Sequence, residues 1–166
     1  MRDGEFLLAY RIMLGTGLRS MELAASVPAQ FDFDRCRFTV DPAKTKNKRG
    51  GVLPVRPDLA ADLKMWIEKH GIGATERIFR YTQNSILQAF YGDLKAAGIE
   101  RKSADGRLLD VHSFRKTFGT MLARAGVPLT TTQRLMRHST PELTAKLYID
   151  VDPMEMSRAL DKMPVF

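Results

Sequence analysis

Four short stretches of this chain carry side chains whose types and spacing could act on a phosphate. Thr16-Gly17-Leu18-Arg19-Ser20-Met21-Glu22 places an arginine at the mouth of a helix that follows a glycine turn. The free N–H groups and dipole of a helix start favour anions, and a guanidinium adds a planar fork for phosphate oxygens. His112 and Arg115 sit three apart at another helix start and so share a face, where two donors could grip a phosphate. His138 follows a short helix carrying Leu135 and Met136, and Tyr148 lies ten residues further on. The tyrosine shares a helical face with the small residues Thr144 and Ala145, so its ring need not be jammed into a core. The fourth stretch is basic: between Ala43 and Arg56 there are five Lys or Arg and no acid. Each stretch also fits a plainer role: a solvated arginine on a capped helix, a capping histidine, a half-buried packing tyrosine.

The elements that must position these groups read mainly as helix. Residues 5 to 14 predict a mostly buried helix stopped by Gly15-Thr16-Gly17, and Ser20 to Ser26 a short second one. Arg37 to Val40 and Gly51 to Val55 alternate and are β-branched, with Pro/Lys/Asn/Gly-rich sequence between them, which predicts a β-hairpin or small antiparallel sheet. Cys36, just before, reads as a half-buried strand residue. Pro57 to His70 and Asn84 to Ala97 carry apolar stripes (Leu59, Leu63, Trp66, Ile67; Ile86, Leu87, Phe90, Leu94) and end at glycine. A polar connector over Ile99 to Asp110 leads into four helices: Val111 to Ala125, with Phe114, Phe118, Met121 and Leu122 as its stripe, Leu129 to Arg137, Pro141 to Ile149 and Pro153 to Asp161. The expected class is mixed α+β, mainly α-helical, with its small sheet near the N-terminal third.

Composition narrows the partner. The chain has 166 residues, one domain by length, with 26 Lys and Arg against 19 Asp and Glu, a net +7 that points to a polyanion. A single cysteine excludes an internal disulfide framework and a Cys-rich zinc site, so a cytoplasmic protein is expected. No cofactor or metal is predicted: no carboxylate cluster for Mg²⁺ is evident. The apolar stretch Phe6 to Leu18 is too short, and too interrupted by Arg11, Gly15 and Gly17, to span a bilayer.

Taken in order, Thr16 to Arg19 with Glu22, Lys46 through Pro54, His112-Ser-Phe-Arg115, Leu135-Met136-Arg137-His138-Ser139 and Lys146-Leu147-Tyr148 resemble the catalytic domain of tyrosine recombinases, the phage integrase family. The resemblance covers essentially the whole chain, 1–166. It implies that family's catalytic-domain fold, with the family's separate N-terminal DNA-clamping domain absent from this chain. It also implies metal-independent, site-specific breakage and rejoining of double-stranded DNA through a 3′-phosphotyrosyl intermediate. Arg19 and Arg115 resemble the arginines that clamp the scissile phosphate, Tyr148 the nucleophile, and Lys46 the hairpin lysine that protonates the leaving 5′ oxygen, with Lys44 and Lys48 as alternatives. His112 resembles the histidine placed near the tyrosine hydroxyl, His138 the donor to a nonbridging oxygen, and Glu22 the supporting acid. Lys44, Lys48, Arg49 and Lys116 are expected to touch DNA. Arg137 stands where the family has glycine, so the turn before His138 must accept a side chain. The interval from His138 to Tyr148 is one residue longer than the commonest spacing.

The chemistry suits those residues. A free tyrosine, with a pKa near 10, is about one part in a thousand ionised at pH 7, so attack benefits from a base, for which His112 is the candidate. Guanidiniums aimed at the nonbridging oxygens are worth roughly 3 kcal/mol per donor. The last helix repeats Met156, Ala159, Leu160 and Met163 at helical spacing, and the resemblance implies docking of 153–166 on a neighbouring protomer, within a tetramer on DNA. Two rivals remain: type IB topoisomerase-like relaxation by one protomer, and a non-catalytic DNA-binding remnant of the same fold.

Overall fold

The computed structural model describes residues 4–42, 50–102 and 106–148. The chain divides into two compact units, Met1–Phe118 and Gly119–Phe166. The predicted helix Pro153 to Asp161, the docking segment 153–166, and Lys44, Lys46, Lys48 and Arg49 lie outside the described residues.

In the first unit α1 (Glu5–Thr16) runs two residues past its predicted end, because Gly15 is tolerated inside it and Gly17 supplies the left-handed cap at φ 66°. A Cβ on Gly17 would also come within 2.5 Å of the Phe118 ring, so this position requires glycine twice over. The second helix, α2 (Ser20–Ala24), stops short of Ser26 because that hydroxyl takes the Leu23 carbonyl at 2.7 Å. A turn of 3-10 helix at Pro28–Gln30 then leads into a three-stranded antiparallel sheet, β1 (Phe31–Asp32), β2 (Arg37–Val40) and β3 (Gly51–Pro54), in that spatial order. Val40 pairs with Gly51 and Phe38 with Leu53, and the inward residues Phe38, Val40 and Leu53 are buried.

The two-residue β1 is not predicted by the sequence pattern. It arises because Phe31 stacks on Phe38, ring centroids 4.4 Å apart, across a tight turn. Cys36 belongs to that turn and not to a strand: it is left-handed, at φ 49°.

Helices α3 (Pro57–Lys69) and α4 (Gln83–Ala96) match the sequence reading to within a residue, with Leu59, Leu63, Trp66, Ile86, Phe90 and Leu94 buried. Together with α1 and the sheet they enclose, among the described residues, an apolar cluster of 23 buried residues.

Helix α5 (Ser113–Arg124) begins two residues later than its pattern suggests. Residues 111–112 form a turn, spanned by the Asp110 carboxylate, which accepts the Ser113 N–H at 3.1 Å, and by Ser113 Oγ, which accepts the Asp110 N–H at 3.1 Å. Phe114 locks this start to the first unit's core, stacking on Tyr10 at 5.0 Å and meeting Phe90 edge-on at 5.3 Å. Met121, expected on the buried stripe, is exposed.

In the second unit α6 (Leu129–Met136) packs against α7 (Pro141–Ala145). Helix α7 ends four residues before the predicted Ile149. Its final turn tightens into i→i+3 bonds, Leu147 N–H to Thr144 O and Tyr148 N–H to Ala145 O, both 2.9 Å. Arg137 caps α6 in the left-handed conformation at φ 51°, as expected where a side chain replaces glycine, at a cost of about 1 kcal/mol.

Candidate active site

In the first unit the Gly17–Arg19 turn gathers the phosphate-binding candidates. Glu22, buried in α2, accepts the Arg19 backbone N–H at 3.1 Å and its Nη1 at 2.8 Å, so one carboxylate sets both the start of the helix and the direction of the guanidinium. The Arg19 side chain stays about one-third exposed, able to reach a ligand. Tyr81 Oη donates to Ser20 O at 2.8 Å and ties the same helix start to the core. Burial, with the charge of Glu5 beyond it, pushes the Tyr81 phenol well above its ordinary range, so it remains a donor.

Glu22→Ala is expected to cost about 1–2 kcal/mol in stability, by losing the two bonds, and about tenfold in covalent DNA attachment, by freeing Arg19. Chemical denaturation and an adduct assay read the two effects separately.

Arg115 comes 98 residues later, and its Nη1 donates to the Gly17 carbonyl, two positions before Arg19. The residue is 2% exposed. His112 stands immediately before α5, its carbonyl accepting the Arg115 N–H at 3.1 Å and the Lys116 N–H at 3.2 Å, and it is exposed while Arg115 is buried.

Although exposed as a residue, His112 is partly desolvated. Desolvation and the Arg115 guanidinium, with smaller pushes from Lys116 and Arg19 against the pull of Asp110, hold its imidazole below the ordinary 6.5. A lowered value favours the neutral ring, the form that accepts a proton. The acid limb of adduct formation, measured between about pH 5 and 8, is therefore expected below pH 6.5. A rate that does not fall toward acid across this range would remove His112 as the base. Lys116 is exposed on α5.

The second unit holds the other two reacting candidates. His138 Nδ1 meets Thr144 Oγ1 at 2.9 Å, and Thr144 is fully buried, which fixes the ring's orientation. Tyr148 is half-buried in the turn after α7, so it does not continue the helical face of Thr144 and Ala145. Its hydroxyl donates to Val127 O at 2.6 Å and meets Thr132 Oγ1 at 2.7 Å. Thr132, Val127 and the Gly17 carbonyl are partners that the sequence does not single out, and Thr144, read there as a neighbour of Tyr148, pairs with His138. Lone threonines and backbone oxygens carry no motif. Among the described residues no three His, Cys, Asp or Glu side chains converge to hold a metal ion, and no described helix is long and apolar enough to cross a membrane.

The sequence model of the phage integrase family matches residues 4–155. The chain belongs to the phage integrase family. Among the relatives of this phage integrase family member is a protein named "Tyrosine recombinase XerC-like" from Caldanaerobacter subterraneus subsp. tengcongensis. It is 28% identical over 97 residues, which make up 58% of this chain and 23% of the relative. The transposon Tn1549 integrase, solved in complex with transposon right end DNA, aligns at TM-score 0.75 and 19% identity over 94% of this chain and 58% of that one. The catalytic domain of bacteriophage HP1 integrase aligns at TM-score 0.67 and 23% identity, over 95% and 82%. XerH site-specific recombinase bound to difH substrate aligns at TM-score 0.73 and 17% identity, over 98% and 48%. The fold is that of tyrosine recombinase catalytic domains. This family member spans less than a quarter of the curated relative's length and little more than half of the Tn1549 integrase chain.

Proposed function

We propose that this chain performs site-specific DNA recombination, cleaving and rejoining double-stranded DNA in the cytoplasm through Tyr148. The observation that carries this reading is the Arg115–Gly17 bond, which brings a guanidinium from α5 to the turn that ends in Arg19. Two arginines at one turn, one buried and fixed, one angled by Glu22, make a site suited to the nonbridging oxygens of a phosphodiester. Family membership supports the same chemistry.

In this reading Tyr148 Oη attacks phosphorus and its proton passes to His112. The bond from phosphorus to the 5′ oxygen breaks, and Lys46 protonates the departing oxygen. Arg19, Arg115 and His138 stabilise the charge that develops on the phosphoryl oxygens. Because the phosphotyrosyl bond conserves the energy of the broken linkage, a 5′ hydroxyl of another strand reseals it without ATP. Lys44, Lys48, Arg49 and Lys116 hold the backbone, so binding falls steeply with salt. Self-association on DNA through 153–166 belongs to the same proposal.

The test is covalent capture on nicked, fragmented genomic DNA, in EDTA, by the chain alone and fused to a family N-terminal clamping domain. An SDS-stable complex from either form supports the reading. DNA binding with no adduct from both would leave a non-catalytic binding module. Supercoil relaxation without strand exchange between duplexes would favour topoisomerase-like chemistry.

A further inference from the structure

The phenol of Tyr148 sits between two partners of different kinds. Val127 O is a main-chain carbonyl and can only accept, so the single phenolic proton goes there, at 2.6 Å. Thr132 Oγ1, at 2.7 Å, must then be the donor to Tyr148 Oη. Both partners are held firmly. Gly126 turns left-handed at φ 70° and the Val127 N–H bonds back to Leu122 O at 3.0 Å, the closing pattern of a helix end. Thr132 lies within α6 at 0% exposure, its own N–H on Pro128 O at 2.9 Å.

We propose that Thr132 is a positioning residue for the nucleophile, its hydroxyl donating to Tyr148 Oη and holding that oxygen as the phenolic proton leaves. The assignment rests on the strand-cleavage reading above and adds to it. The two partners behave oppositely during attack. Once the proton is gone, the Val127 carbonyl confronts the phenolic oxygen lone pair to lone pair and releases it. The Thr132 donor keeps its bond and strengthens it, because a hydrogen bond to a charged acceptor is worth more than one to a neutral acceptor. A buried β-branched side chain, limited in its rotamers, returns the oxygen to one place after each excursion. Thr132 therefore acts through Tyr148 and touches no DNA atom in this account.

The hydroxyl and the methyl of Thr132 are separable. Thr132→Val keeps the shape and removes the donor, whereas Thr132→Ser keeps the donor and removes the methyl. Wild type and both variants are compared on nicked DNA for the rate of SDS-stable adduct formation, for DNA affinity, and for melting temperature. The expected result is that Thr132→Val binds DNA as wild type does but attaches about tenfold more slowly, and that Thr132→Ser attaches within about twofold of wild type. The reverse order, Val normal and Ser slow, would mean that Thr132 only fills space and would overturn the assignment. Faster attachment by Thr132→Val would also overturn it, since the hydroxyl would then restrain the nucleophile. Should Thr132→Val melt below the assay temperature, Thr132→Ser decides alone: retained rate supports the donor role, and a slowed rate refutes it. Failure of the wild type to form any adduct would overturn the cleavage reading and this assignment with it. Wild-type cleavage with an unaffected Thr132→Val overturns the assignment only.

Discussion

Tyr148→Phe is expected to bind DNA with unchanged affinity and salt dependence while forming no SDS-stable adduct. The substitution removes one oxygen and keeps a half-buried ring in its place, so the fold of the second unit has little reason to change. It does leave Val127 O and Thr132 Oγ1 without their bonds to the phenol, which is expected to cost about 1–2 kcal/mol of stability. The effect on the reaction is of another order, because no other group replaces a missing nucleophile and attachment drops below detection. Gel-shift and denaturing-gel assays on the same samples separate the two. An adduct from Tyr148→Phe at anything near the wild-type rate would move the nucleophile elsewhere.

The second large effect is expected at Arg115. Arg115→Lys should reduce adduct formation about a hundredfold or more, although charge is conserved. A lysine has a point charge and no planar fork, so it cannot hold the Gly17 carbonyl and a phosphoryl oxygen in one rigid arrangement. Arg115→Ala should go further, to roughly a thousandfold, by removing a donor aimed at developing charge. It should also destabilise the first unit by about 1–3 kcal/mol, because a residue at 2% exposure leaves a buried carbonyl unmet. Comparing the two variants by thermal melting and by single-turnover attachment distinguishes the chemical loss from the structural one. Equal rates for Arg115→Lys and wild type would remove this arginine from the site.

Much of the scaffold is legible from local pattern. The stripes of α3 and α4 place Leu63, Trp66, Phe90 and Leu94 inward, and β2 and β3 fall where the alternation is. What escapes the sequence is of two kinds. The first is backbone conformation adopted by a residue that does not advertise it: Cys36 turns left-handed without being glycine, converting an expected strand residue into a turn, whereas the turn at Arg137 is expected from the glycine it replaces. The second is contact across distance. The bond from Arg115 to Gly17 spans 98 residues, and the pairing of Thr132 with Tyr148 joins α6 to the turn after α7. The order of motifs along the chain is visible in the sequence. The partners that hold each reacting group are visible only in three dimensions.

Mass spectrometry of the captured adduct shows which side chain, if any, a DNA phosphate has joined. Wild-type protein fused to a clamping domain is trapped on nicked DNA, digested with nuclease and trypsin, and searched for peptides carrying a nucleotide. The modification is expected on the peptide 147–158, at Tyr148, with the nucleotide attached through its 3′ phosphate. A nucleotide on Ser157 of that peptide, on any other peptide, or attached through a 5′ phosphate would contradict it.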